Sequence, residues 1–181
     1  LGDVYKRQNE WMLLLSARFV NVLLGALMAW VVLKAAKLLF PRRYAWMFTA
    51  LVVFLPGNVI LYSYVNCDAL AMCSTAIIFY SWVKAYKEGW NWTTCAVSAI
   101  GMGLCFLSYY NAYGFILTTF FFFVGTMLTD QEKAPKERWK EMIQKGLFIL
   151  VIVCVIALWW FIRNAILYHG DFLGSCLLYT S

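Results

Sequence analysis

Charged residues are scarce in this chain, and their scarcity excludes a water-soluble fold. Asp, Glu, Lys and Arg make up only 13% of the 181 residues, whereas a typical soluble domain holds about 25%. Hydrophobic residues make up 64%, and the mean hydropathy is +0.72. A chain of this size with so little polar surface cannot cover a globule in water. The composition therefore indicates an integral membrane protein.

Histidine, paired cysteines and a basic face are also scarce or missing, and each removes a class of function. The chain holds one His, and none of its six cysteines forms a CxxC pair, so a zinc site or a disulfide framework is disfavoured. Small apolar filler is the expected role of these cysteines. Gly101 and Gly103 form a GxG without a preceding strand, which excludes a dinucleotide site. The net charge of +6 is spread over separate loops, so no nucleic-acid partner is expected.

Long apolar segments dominate what remains. A helix needs about 20 residues to cross a bilayer core. Of the six apolar segments given below, the last four are marginal in length, and flanking aromatics are expected to extend them into the headgroup layer. The predicted fold is an all-α, polytopic transmembrane helical bundle of about six spans, in a single domain over 9–174. The spans are 12–33, 44–62, 69–83, 92–108, 112–128 and 146–162. The aromatic belt residues are Trp82, Trp90, Trp92, Tyr109, Trp139 and Trp159.

The basic residues alternate along the chain in a way that orients it. Eleven of the fifteen Lys and Arg fall in three polar breaks, and the turns at 63–68 and 109–112 hold none. Cytoplasmic loops are enriched in Lys and Arg, so both ends and the 63–68 turn are predicted to be extracytoplasmic. The basic set is Lys34, Lys37, Arg42, Arg43, Lys84, Lys87, Lys133, Lys136, Arg138, Lys140 and Lys145.

Two further segments carry expectations about organisation. The polar stretch 129–145 is consistent either with a short helix lying in the inner interface or with a solvated connector. Residues 1–8 and 175–181 resemble translated adapter sequence and are predicted to be non-native ends. The chain is therefore expected to be an internal fragment of a longer membrane protein.

Among the acidic residues, Asp68 is the best candidate for a functional role. It lies in SYVNCDAL at 63–70, between two spans, and an aspartate near a membrane core is costly and usually kept for a function. Tyr64 and Asn66 in the same turn are candidate accessory residues. The alternative is that Asp68 caps the helix that follows, because Asp is a favoured N-cap.

Two arginines at the outer ends of predicted spans form a second set of candidates. Arg18 and Arg163 oppose the charge bias of the chain, and a guanidinium at the membrane surface can bind a lipid phosphate through two parallel hydrogen bonds. The alternative is that each snorkels to bulk headgroups. His169 and Asp171 follow Arg163 and could contribute to a site for a divalent cation, although the sequence shows no spacing that demands one.

Three segments resemble a known superfamily when taken in order. ARFVNVLLGAL at 17–27 is similar to the Arg-led helix after the first outer loop of polytopic GT-C glycosyltransferases. These enzymes, such as protein mannosyltransferases and lipid A aminoarabinose transferases, use polyprenyl-phosphate sugars. LPGNVILYSYVNCD at 55–68 resembles their next outer segment, in which a Pro precedes an N/S-x-D turn. WWFIRNAILYHGDFLG at 159–174 resembles their later W-x-x-RN…YGDPLG segment, with Phe172 where Pro is usual.

The resemblance implies a function for the longer protein. It would transfer a sugar from a polyprenyl-phosphate donor to an acceptor on the extracytoplasmic face of a membrane. The resemblance implies that this membrane is the cytoplasmic membrane of a bacterium. Asp68 would orient the acceptor or hold a metal, and Arg18 or Arg163 would stabilise the phosphate leaving group. The family carries its catalytic acid in the first outer loop, where this chain offers only Glu10, so the fragment is expected to be inactive by itself.

Two other classes of protein stay open at this point. A transporter or flippase would carry polar residues and broken helices at span midpoints, and the near absence of charge inside the spans disfavours it. A structural membrane subunit would leave the outer polar residues without a role. The sugar, the acceptor and the need for a divalent cation are not set by the sequence.

Overall fold

The computed structural model describes residues 2–108, 110–129 and 135–167, with side chains from residue 11 onward, and within these ranges the chain is helical with no strand. The elements in chain order are α1 (Gly2–Leu39), α2 (Arg42–Val53), α3 (Pro56–Ser63), α4 (Asp68–Glu88), α5 (Trp92–Leu107), a 3-10 turn (Tyr110–Ala112), α6 (Tyr113–Thr129) and α7 (Pro135–Leu167).

The predicted polytopic helical bundle is confirmed. Four helical segments are long and apolar enough to cross a membrane, namely Trp11–Leu39, Asp68–Glu88, Tyr110–Thr129 and Pro135–Leu167. The pair α2 and α3 qualifies only when taken together, and α5 is a shorter apolar helix. These segments follow the six predicted spans in order. The number of crossings and the side on which each end lies stay predictions.

The second predicted span, 44–62, is not straight, because its axis bends by 60° between α2 and α3. Pro56 opens α3, and since proline lacks an N–H it cannot donate to the carbonyl four residues earlier, that of Val52. The buried Asn58 side chain donates to this Val52 oxygen instead, at 2.7 Å. A backbone carbonyl in a bilayer needs such an internal partner, so Pro56 and Asn58 together make the bend tolerable.

Small residues allow α5 to pack tightly between two neighbours. A Cβ at Gly101 would lie 2.9 Å from Ile78 Cγ1 on α4, and a Cβ at Gly103 would lie 2.9 Å from Ile156 Cβ on α7. The two glycines are two residues apart and therefore face opposite sides of α5. Without a solvent-driven hydrophobic effect, helices in membranes associate through close contacts of this kind.

The helix order places the candidate residues at one end of the bundle. α1 packs on α2, α3 and α4, α5 lies between α4 and α7, and α6 contacts α4, α5 and α7. The ends of α1, α4 and α6 meet the starts of α2, α5 and α7 at what we call the basic end, where Lys37 lies over the Trp46 ring and Trp92 packs on Phe148. Described basic residues at this end are Lys34, Lys37, Arg42, Arg43, Lys84, Lys87, Lys136, Arg138, Lys140 and Lys145. We call the other end, where α3 meets α4, the acceptor end, because the resemblance described above predicts the acceptor there.

One expectation about the basic end needs correction, and another needs an addition. Residues 135–145 are neither a separate interfacial helix nor a solvated connector, because they form the first turns of α7. Trp82 and Trp90 do more than the predicted aromatic-belt role requires, because their indole N–H groups donate to Thr119 and Thr126 of α6, at 3.1 and 2.7 Å. A tryptophan at the edge of a span can thus bind a neighbouring helix as well as a headgroup.

Candidate functional site

The turn between α3 and α4 is fastened to α1 by one buried amide. The Asn21 side chain is 6% exposed, and its Nδ2 donates to the backbone oxygens of Tyr64 at 2.6 Å and Asn66 at 3.4 Å. Next to this contact, Gly25 faces Tyr62, whose ring Cγ would lie 2.9 Å from an added Cβ. The absence of a side chain at Gly25 lets α3 approach α1 closely, so that Asn21 reaches the turn.

Asn66, rather than Asp68, caps α4. The Asn66 Oδ1 accepts from the Ala69 N–H at 2.8 Å, while its Nδ2 donates to Leu61 O at 2.7 Å. α4 begins at Asp68 itself, and the residue at the N-cap position, Cys67, makes no side-chain cap. The sequence prediction that Asp68 caps this helix is therefore wrong, because the cap acceptor comes from two residues earlier.

The Asp68 carboxylate is consequently available for another partner. Among the described residues no hydrogen bond or ion pair to it is found, and the residue is half-buried in the first turn of α4. The turn thus presents a carboxylate on a backbone that Asn21 and Asn66 hold in place.

The remaining residues of the turn take structural and surface roles. Tyr64 contributes its backbone oxygen to the contact with Asn21, and its side chain is exposed at 43%. Arg18 lies three residues before Asn21 on α1 and is also exposed. Residues three apart lie on the same side of a helix. Arg18, Tyr64, Asn66 and Asp68 therefore lie at the same end of the bundle, on α1 and around the turn that Asn21 binds.

Arg163 lies on a different part of the bundle. Its guanidinium carbon is 5.3 Å from the centre of the Trp160 ring on the same helix, α7. Because α4 and α5 lie between α1 and α7, the structure does not join Arg163 to the Arg18 side. This packing gives no support for one phosphate site shared by both arginines, whereas Arg163 stacked on an exposed tryptophan suits an interfacial position.

The predicted metal ligands cannot be assembled from the described part of the chain. His169 and Asp171 lie outside the described residues, and no group of three His, Cys, Asp or Glu side chains occurs within them. Asp68 alone does not make a site for a divalent cation, which takes about six oxygen ligands. The cation therefore stays a prediction.

Asn21 is the functional candidate that sequence reasoning missed. It is the polar residue in the middle of ARFVNVLL, and a lone amide in an apolar span usually has a partner, because an unpaired one is costly in lipid. That signal was present in the sequence, but only the structure names the partner, a turn more than 40 residues away.

Comparison with known proteins gives a family match. No curated protein and no solved structure matches the chain. The family model described as dolichyl-phosphate-mannose-protein mannosyltransferase matches residues 12–162, which run from α1 into α7 and include Arg18, Asn21 and Asp68. This match covers far more than half of the chain, and the resemblance to membrane glycosyltransferases is confirmed. The chain belongs to the dolichyl-phosphate-mannose-protein mannosyltransferase family.

Proposed function

We propose that the protein containing this chain transfers a sugar from a lipid-phosphate-linked donor to an acceptor at the acceptor end, on the extracytoplasmic face. The observation that carries the proposal is the family match over residues 12–162. The fold supports it, because the acceptor end holds a carboxylate and an arginine on the two elements that Asn21 joins. The positive-inside pattern supports the choice of face.

The reaction that this family membership suggests is a displacement at the anomeric carbon. The acceptor hydroxyl loses its proton to a carboxylate general base, and its oxygen forms the new bond to the sugar. The bond between the sugar and the phosphate oxygen breaks, and the lipid phosphate leaves with the bonding electrons. The resemblance leads us to expect the general base in the first outer loop of the family, so Asp68 is assigned a different role here.

Arg18 is the better placed of the two arginines for the leaving group. Negative charge grows on the lipid phosphate as the bond breaks, and a guanidinium placed there stabilises it. Arg18 sits on α1 beside the residue that holds the α3–α4 turn, so the same helix places both the phosphate partner and the turn that carries Asp68. Arg163 then serves as a second phosphate contact or as an interfacial anchor over Trp160.

Asp68 acts on the acceptor in this scheme. Its carboxylate accepts a hydrogen bond from an acceptor hydroxyl and so fixes the nucleophile relative to the sugar. No step passes through a metal ion, since the described residues do not supply a ligand set for one.

A transporter remains the competing class because of one observation. The bend between α2 and α3 resembles the interrupted helices of transporters. At this bend, however, the Val52 carbonyl freed by Pro56 is bonded to Asn58, and the flanking residues Phe54 and Leu55 are apolar. The bend therefore offers no open carbonyl at Val52 and no charge for a transported ion.

Sugar transfer by the full-length protein in membranes tests the proposal, with a radiolabelled polyprenyl-phosphate sugar as donor. Asp68→Asn and Arg18→Lys should each lower the rate by about a hundredfold, because the first removes charge and the second removes the planar fork that binds phosphate. Arg163→Lys separates the two roles of that residue, since an anchor tolerates Lys. Arg43→Lys at the basic end is the matched control and should leave the rate unchanged. Near-normal transfer by both Asp68→Asn and Arg18→Lys would refute the assignment.

A further inference from the structure

An apolar groove of about 640 Å³ runs between α6 and α7, with α5 as its floor. Trp139 and Met142 line it near the basic end, Phe123 and Met102 line its middle, and Ile116 and Val153 line its far part. Its volume falls within the roughly 300–1,000 Å³ of sites that hold a small molecule. Neither Arg18 nor Asp68 lines the groove.

The groove is somewhat longer than one leaflet's share of the hydrocarbon core. From Trp139 to Val153 the α7 helix rises about 21 Å at about 1.5 Å per residue, and one leaflet's share of the hydrocarbon core is about 15 Å. Phe106 lines the far end, where its ring packs against Tyr113 and Phe161 with centroids 5.4 and 6.3 Å away. A molecule that enters from the basic end therefore meets a wall of three aromatic rings beyond the middle of the bilayer.

The chemistry of the walls restricts the occupant to a hydrocarbon chain. Thr119 is the one lining residue with a hydroxyl, and its Oγ1 already accepts from Trp82 Nε1 and donates to Phe115 O. A sugar or a peptide would leave its own polar groups unpaired there, at a cost in free energy for each. A hydrocarbon chain has no such groups.

The basic end of the groove favours an anionic headgroup. Lys136 lies one turn before Trp139 on α7 and is exposed, and Arg138 donates to Leu128 O at the end of α6. Lys145 adds no free charge, because it is paired with Glu141. Glu137 lies two residues from Trp139 and therefore on the other side of α7. Cationic side chains beside an apolar groove complement a phosphate attached to an acyl chain.

We propose that the groove between α6 and α7 binds one acyl chain of an anionic glycerophospholipid from the leaflet at the basic end, with the phosphate beside Lys136. The binding site is separate from the acceptor end and would hold whether or not the sugar transfer proposed above is correct. A lipid in this position fills the gap between α6 and α7. It therefore supports α6, whose Thr119 and Thr126 accept the hydrogen bonds from Trp82 and Trp90.

Photo-crosslinking in phosphatidylcholine nanodiscs tests the proposal. The probes are phosphatidylglycerol and phosphatidylcholine that carry the same diazirine on one acyl chain, and labelled peptides are identified by mass spectrometry. Peptides that contain Phe123 and Met142 should be labelled about fivefold more by the phosphatidylglycerol probe, the effect of about one basic residue near a phosphate. Lys136→Gln should remove this preference, and Arg43→Gln, at the α2 start, should keep it.

Two glycines give a matched pair for the apolar part of the site. A Cβ at Gly146 meets only Phe123, at 3.7 Å, so Gly146→Leu would project into the groove, whereas Gly125 has nothing within 4 Å and does not line it. Gly146→Leu should reduce labelling several-fold, and Gly125→Leu should not. Gly146→Ala, which the spacing tolerates, keeps the test valid if the Leu variant fails to fold, and it should reduce labelling by less.

Three results would overturn the proposal. Equal labelling by the two probes would mean an ordinary lipid-facing surface. Unchanged labelling in Gly146→Leu would place the chain outside the groove. Labelling by a diazirine-bearing polyprenyl phosphate that phosphatidylglycerol cannot compete away would assign the groove to the sugar donor instead.

Discussion

Replacing Asn66 by Ala should loosen the start of α4 far more than replacing Asp68 by Asn. The Asn66 side chain makes two contacts with the turn, since Oδ1 accepts from the Ala69 N–H and Nδ2 donates to Leu61 O. Asp68 makes neither contact, although it lies in the first turn. The two residues are close in sequence, so one local measurement can compare them.

The structure sets the size of each effect. Loss of an Asn cap costs about 1 kcal/mol, and loss of a partly buried hydrogen bond costs about 1 kcal/mol more, so Asn66→Ala should lower the local opening free energy by about 2 kcal/mol, or about thirtyfold. Asn66→Asp keeps the cap acceptor and loses the donor, for about 1 kcal/mol. Asp68→Asn removes only the interaction of its charge with the helix dipole, worth about 0.3–1 kcal/mol at an exposed site.

Hydrogen exchange of the Ala69 amide in nanodiscs measures these differences directly, because that N–H is the group the cap holds. Exchange should be about thirtyfold faster in Asn66→Ala, about fivefold faster in Asn66→Asp and at most about fivefold faster in Asp68→Asn. Distant amides in α5 serve as the internal control and should not change. Normal exchange in Asn66→Ala together with fast exchange in Asp68→Ala, which unlike Asp68→Asn cannot cap, would show that Asp68 is the cap after all, and the carboxylate would then not be available to an acceptor.

Two further predictions concern topology and packing. In a Cys-free version expressed in intact cells, Val65→Cys should react with a membrane-impermeant maleimide and Lys136→Cys should not; the reverse pattern would invert the orientation. Gly103→Ala should destabilise the bundle by about 1–3 kcal/mol, because its Cβ would lie 2.9 Å from Ile156, whereas Gly125→Ala, with open space around it, should be neutral or stabilise by up to about 1 kcal/mol. Unfolding in mixed micelles followed by circular dichroism checks both, and equal stabilities would show that α5 and α7 are not in close contact.

The bundle could be predicted from the sequence because hydropathy and helix length are strongly constrained in a bilayer. The six apolar segments match the helices in order. Some bend at Pro56 could be expected from the sequence, since proline interrupts a helix. The hydrogen bond from Asn58 to the freed Val52 carbonyl, however, depends on a specific side-chain geometry. The sequence did not reveal that α7 already includes residues 135–145. A polar amphipathic stretch has the same pattern whether its helix ends at the interface or continues into the membrane.

The candidate site was predictable only in part. Which residue caps α4, and which side chain binds the α3–α4 turn, depend on atomic positions within a few ångströms. Sequence preference makes Asp68 and Asn66 equally good caps, and the choice between them follows from where α4 begins. The link from Asn21 to the turn spans over 40 residues, so no local pattern could reveal it. His169 and Asp171 lie outside the described residues, and their predicted roles are unchanged.

In the α3–α4 turn, Asn66 caps the helix while Asp68 does not, and this separation of roles affects how the site would work. A carboxylate that also capped its own helix would have an oxygen committed to a backbone N–H and could not turn toward an acceptor without weakening the fold. Here Asn66 satisfies that N–H, and Asn21 anchors the backbone on either side of Val65 to α1. In the proposed scheme Asp68 would therefore bind and release a hydroxyl while the turn stays fixed, and a fixed turn holds reacting groups at a productive distance. The same helix carries Arg18, so any movement of α1 would shift the phosphate partner and the turn together, which keeps their separation constant through the transfer.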